Sequence, residues 1–213
     1  MGPVSRISFS EFMTLRKQEK LRARIAIEAA RLMTEQAISD YHLAKTKAAQ
    51  NLGLTDKRDL PANHEIEQAV RDYQLIFHAD TQPQALKKLR QAALDAMTFF
   101  SDFQPRLVGD VLSGIANQHS RVMLHLFADY PEQVSIFLME NDIPCQEKNK
   151  RMRYKAEQYH TYPQFCFIAD NVEIELTVFN LKEIKMAPGS AIDGKPMQRA
   201  NIKTVERLLI VQT

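Results

Sequence analysis

The stretch Arg121–Asp129, "RVMLHLFAD", decides how this chain is read. Its apolar run follows a turn that contains glycine and serine ("LVGDVLSGIANQHS", Leu107–Ser120), and the combination reads as a buried β-strand. His125 stands in its middle, among Leu124, Leu126 and Phe127, and Asp129 stands at its end. Strand alternation puts His125, Phe127 and Asp129 on one face. Two readings of His125 follow. It is a core histidine hydrogen-bonded to backbone, or it belongs to a site that binds phosphate when protonated and a metal when neutral.

Working outward toward the C-terminus, "YPEQVSIFLMENDI" has the spacing of an amphipathic helix, and "FCFIA" and "VEIELTVF" read as two further strands. Ala169–Asn171 between them is a hairpin turn, since Asp and Asn tolerate the backbone such a turn needs. In "VEIELTVF", Val172, Ile174, Leu176 and Val178 share one face, and Glu173, Glu175, Thr177 and Phe179 share the other. The run "KNKRMRYK" (Lys148–Lys155) is read as a solvated basic loop able to meet phosphate or nucleic acid. "GSAIDGKPM" is a turn-rich loop, its Asp193–Gly194–Lys195–Pro196 having turn chemistry, and "RANIKTVERLLIV" is a short closing helix.

Toward the N-terminus the pattern is helical from Ser10 to about Ser101. Ile25, Ala29, Leu32 and Met33 recur at helical spacing, and Leu43, Ala44, Lys47, Ala48 and Leu52 continue it, with Gly53 as C-cap. Pro61 and Asn63 open a helix with an Ile66, Ala69, Val70, Tyr73, Ile76–Phe77 stripe, and Pro83 opens another. Helices followed by strands give an α+β fold, with a helical domain over 1–103 and a small mixed-sheet domain over 104–213.

The bulk composition narrows the classes. The 213 residues are 45% hydrophobic and 25% charged, ordinary for a globular protein, and a net charge of +2 says little about partners. No apolar run approaches the roughly 20 residues that cross a bilayer. The first twenty residues lack a secretory apolar core. Cys145 and Cys166 have no metal spacing, and Cys166 reads as a buried free thiol. A cytoplasmic protein without structural zinc is expected.

The turn "GDVLSGIA", the strand "VMLHLFAD", a helix opened by Pro131–Glu132 and the later strand "VEIELTVF" resemble the polymerase-β-like nucleotidyltransferase superfamily over about Arg106–Phe179. The narrower likeness is to uncharacterised bacterial nucleotidyltransferase-like proteins, along the whole chain, including "AARLM" and "IDGKPM". The resemblance implies a glycine turn that admits a triphosphate, an acid pair holding magnesium or manganese, and a third carboxylate on a neighbouring strand. It assigns the ligand-binding turn to Ser113–Gly114, or in a second register to Gly109 with Gly114. The third acid is Glu175 or Glu173. The acid-pair positions fall on His125 and Phe127, a departure that leaves Asp129 as the nearest acid. The implied function is binding of a nucleotide or phosphorylated ligand. If nucleotidyl transfer occurs, Asp129 and Glu175 share the metal and His125 is a ligand or general base. His119, Ser120, Asp110, Lys195 and Arg199 are minor candidates.

A rival reading starts from "AIEAARLMTEQAISDYHLAKTKAAQNLGL", which resembles the helix-turn-helix end of tetracycline-repressor-like regulators. The resemblance implies an inactive regulator whose helical half meets DNA or a protein partner. Arg16, Lys17, Lys20, Arg22 and Arg24 would then contact phosphates. Against it, no glycine or proline marks the point where the two helices should part. A helical packing or dimerising domain is the preferred reading of this half.

Overall fold

The computed structural model describes residues 8–54, 59–155 and 158–210, without the side chains of 9–12 and Lys155. The side chain that ends the basic run, that of Lys155, and the last residue of the expected closing helix, Val211, therefore lie outside what is described. The chain divides into two compact units, Met1–Phe77 and His78–Thr213. Among the described residues no helix is long and apolar enough to cross a membrane.

The first unit holds α1 (Phe9–Glu35), α2 (Tyr41–Asn51) and α3 (Asn63–Phe77). Small residues let these helices approach: Ala26, Ala29 and Ala30 of α1 are buried with Ala44, Ala48 and Ala49 of α2, and Ile25, Leu32, Ile66 and Val70 complete the core. The helices part without glycine or proline, contrary to the argument from their absence. Ala37 takes a positive φ of 54°, and Asp40 caps α2 by accepting the Leu43 N–H at 2.6 Å. The stripe read along α3 stops short: Ile66 and Val70 are buried, while Ile76 and Phe77 are exposed.

The second unit holds α4 (Gln82–Phe99), β1 (Arg106–Val108), α5 (Gly109–Ser113), β2 (Val122–Ala128), α6 (Glu132–Glu140), β3 (Gln146–Lys155), β4 (Gln158–Ala169), β5 (Val172–Asn180) and α7 (Ile202–Ile210). Helix α4, read with the N-terminal half from sequence, lies in this unit, opened by Pro83 as expected. The five strands form one mixed sheet in the order β1-β2-β5-β4-β3, with β2 and β5 parallel and the other pairs antiparallel. The fold is α+β, with a helical region preceding the sheet. Asp170 and Asn171 both take positive φ in the β4–β5 turn, the backbone that favours these residue types.

One strand was not legible. Residues 146–155 form β3, paired with β4 from Gln146–Cys166 to Lys155–Gln158, where the sequence suggested a loop. Mostly polar on both faces, the segment has no alternation to read; pairing with β4 supplies the strand.

The sheet has two unlike faces. On the helix face, Leu124, Leu126, Ile174, Leu176, Val178 and Phe165 pack with buried residues of α4, α6 and α7. On the other face, Phe127, Met152, Tyr162 and Phe179 form a small cluster under Leu181, Ile184 and Met197. These last three belong to a segment that crosses the face as a strap. Its Gly189 N–H donates to the Arg153 carbonyl of β3 (2.7 Å), and Ala200 pairs with Leu107 of β1 through two hydrogen bonds.

Candidate functional site

The strap face carries some of the residues singled out from the sequence, His125 and Glu175 first among them. Register pairs put Arg106, His125, Thr177, Gln164 and Lys148 in one row across the sheet. Met123, Glu175 and Cys166 form the next row.

His125 is 2% exposed. Its Nδ1 accepts from Arg199 Nε at 3.0 Å, which leaves the proton of the neutral ring on Nε2. Burial lowers its pKa well below the ordinary value, and the charges of Arg199 and Lys150 push the same way. Arg199, whose reach was a guess from sequence, is the residue that meets the histidine. Its Nη1 also donates to the carbonyls of Glu183 (3.0 Å), Ile184 (3.3 Å) and Met186 (3.1 Å). Its guanidinium lies 4.9 Å from the ring centre of Phe127 and 4.8 Å from that of Phe179. Thus both expected acid-pair positions, His125 and Phe127, face a cation. Arg199 latches the strap to β2, and one of its atoms, Nη2, is buried without a hydrogen-bond partner.

Beyond the latch, Glu183 gathers two phenols. Its Oε1 lies within hydrogen-bond distance of both hydroxyls, Tyr162 and Tyr154 (3.2 Å), which are themselves 2.8 Å apart, so two phenol protons serve the three oxygens. Burial, ahead of the bonds to Glu183, raises the pKa of both tyrosines, so they remain protonated donors at neutral pH.

Glu175, expected as the third acid, is 5% exposed and already neutralised. Lys150 Nζ binds Oε1, and Arg121 Nη1 lies 3.3 Å from Oε2 and 3.5 Å from Glu173. Glu173 is exposed near the start of β5, the central strand of the sheet. Asp129 does not join them. It sits past the end of β2, six residues beyond Met123, the register partner of Glu175. At the rise of a strand that separates the two acids by about 20 Å. One ion cannot bridge them, so the expected sharing of a metal by Asp129 and Glu175 is corrected by the geometry. With His125 Nδ1 bound to Arg199 and both Glu175 oxygens held by cations, these residues do not fit a magnesium or manganese centre.

The two glycine registers also separate. Gly114 hydrogen-bonds toward α4: its carbonyl and that of Ala116 accept from Gln82 Nε2, each at 3.0 Å, and Leu86 and Arg90 lie beside its α-carbon. Ser113 Oγ turns back to the Asp110 carbonyl at 3.3 Å. Ser113 and Gly114 therefore belong to the helix side. Gly109, at φ +72°, abuts Met123 of the strap face, where an added Cβ would stand 2.1 Å from the methionine Cε. Only Gly109 among the three turn residues joins the row of Glu175. His119 is exposed, and Ser120 Oγ accepts the Asn117 N–H in the loop. Lys195 pairs with Asp193 at 3.7 Å and does not reach His125's partner set.

A groove of about 500 Å³ opens on the other side of the sheet, between α4 and the β4–β5 hairpin. Phe99, Phe100, Ile143, Phe167 and Val172 line it, and it contains none of the sequence-predicted residues.

Arg121 and Glu183 carried no signal in the sequence, and Lys150 was legible only as part of the basic run, because their roles depend on partners 21 to 54 residues away. A lone arginine before a strand or a lysine in a basic run carries no spacing signal. No family model matches the chain, and no curated protein matches it as a relative.

Proposed function

We propose that residues 78–213 are a nucleotidyltransferase-like unit that binds a nucleotide or another phosphorylated small molecule on the strap face, beside Gly109, Arg121 and Lys150. One observation carries this reading. The positive-φ glycine of the β1–α5 turn and the two cations around Glu175 meet at Met123, on the sheet face that the helices leave uncovered. Glycine lets an anion approach the backbone closely, and Arg121 and Lys150 can exchange a carboxylate partner for a phosphate oxygen. Binding is the proposed activity. The transfer step that the resemblance implies is left out, because its metals have no fitting ligand set here.

Thermal unfolding with the four ribonucleoside triphosphates, with magnesium, with manganese and with chelator, tests this. A nucleotide at a hundred times its Kd should raise the melting point by about 5–10 °C. The shift should survive chelator and be lost in Arg121→Ala. No shift with any triphosphate, or the same shift in Arg121→Ala, would overturn the proposal.

A further inference from the structure

The β3–β4 hairpin is strongly basic, and the proposed ligand site uses only its Lys150. Between Lys148 and Lys155 the sequence has five cations and no acid. Being a strand rather than a loop gives this charge a fixed geometry. Arg151 and Arg153 fall on the same face, about 7 Å apart, and pair with Thr161 and Tyr159 of β4. Lys148, Arg151, Arg153, Tyr159, His160 and Thr161 are all exposed. The hairpin also outruns its neighbour: β4 pairs with β5 only over Gln164–Ala169, so its residues 158–163 are paired on one side alone. Arg151 already lies over the Tyr159 ring, 4.1 Å from its centre, so a cation and an aromatic face are held together at the surface.

Lysines and arginines on an edge strand protect it from pairing with other chains, which accounts for part of the charge. It does not account for an exposed tyrosine stacked under one of those cations. Cations spaced along an extended ribbon, interleaved with exposed rings, are the chemistry that holds a single nucleic-acid strand. Phosphates pair with the cations, and a base stacks on the ring. We infer that the β3–β4 hairpin is an arm for single-stranded nucleic acid, with Arg151 and Arg153 meeting phosphates and Tyr159 stacking a base.

The test is fluorescence anisotropy of the full chain with labelled oligouridylate and oligothymidylate 20-mers and a duplex of the same length, over a salt series. The single strands should bind more tightly than the duplex. R151E/R153E should lose at least tenfold in affinity and flatten the log–log salt slope by about 1.4. Tyr159→Ala should cost about tenfold and Tyr159→Phe little, since the ring is what stacks. Because these side chains are exposed, the variants should keep the wild-type melting point. Should R151E/R153E fail to fold, R151Q/R153Q reads the same loss.

Three results would overturn the inference: no oligonucleotide binding at low salt, equal binding by the hairpin variants, or tighter binding of the duplex. Loss of all affinity on reversing Lys17, Lys20 and Arg24 of α1, with the hairpin variants silent, would assign the binding to the first unit and overturn it equally. The triphosphate-induced thermal shift depends on Arg121 and should persist in R151E/R153E, so this inference and the proposed ligand site fail separately.

Discussion

The two faces of the sheet are built from the same strands, yet they hold their neighbours by different physics. On the helix face, side chains of β2 and β5 such as Leu124, Leu176 and Val178 are sealed under α4, α6 and α7, with apolar contact all round. On the strap face, the alternate residues of those strands are as deeply buried but polar or aromatic: His125, Thr177, Glu175 and Phe179. Their cover consists of ion pairs, a guanidinium latch and one irregular segment. Apolar burial is nondirectional and tolerates small shifts, whereas a buried histidine or carboxylate depends on particular partners. The lesson is that one face carries the stability and the other carries the specificity, and only the second can respond to charge.

The sharpest challenge to that division is a core truncation. Leu124→Ala should cost about 3 kcal/mol in urea denaturation, since the side chain is fully buried and its cavity cannot collapse against α4 and the neighbouring strands. If it cost less than the polar substitutions below, the helix face would not be the stabilising one.

Acid should act on the strap face alone. His125 has a folded-state pKa depressed below its unfolded value, so the unfolded chain takes up the proton first. Its contribution is fully present above about pH 6.5 and is lost as pH falls from there toward the folded pKa, reaching up to about 2 kcal/mol by pH 5. Protonation also removes the Nδ1 lone pair that Arg199 uses. His125→Asn keeps an acceptor without a titrating ring. Urea midpoints from pH 7 to 5 should fall less steeply in that variant than in wild type. Parallel profiles would remove His125 from the account.

The smallest effect separates two acids of one strand. Glu175→Gln should destabilise by about 1–2 kcal/mol, because a buried carboxylate leaves two cations that can turn partly to solvent. Glu173→Gln, whose side chain is 45% exposed, should stay within about 0.5 kcal/mol. Equal costs would mean that burial does not set the worth of these ion pairs.

Much of the fold was legible because it rests on short-range pattern. The alternation of Val172–Phe179, the Asp170–Asn171 turn, the proline that opens α4 and the apolar run of β2 each announce themselves within a few residues. The candidate site was legible only as a set of strand positions. His125 and Glu175 do share a face, and Gly109 does meet their rows; Asp129, Ser113 and Gly114 do not. Facing direction can be read from a period of two, but distance along a strand and the side on which a turn lands cannot.

What the sequence by itself determined is therefore the kind of most elements, β3 excepted, the α+β order and which residues of β2 and β5 share a face. What only the tertiary structure decided is who answers whom. It made β3 a strand by pairing it with β4, brought Arg199 to His125 across 74 residues, and filled the oxygens of Glu175 with Lys150 and Arg121. Local periodicity records how the backbone repeats. The partners of a buried polar group are fixed by the folded path of the chain, and no local repeat encodes that path.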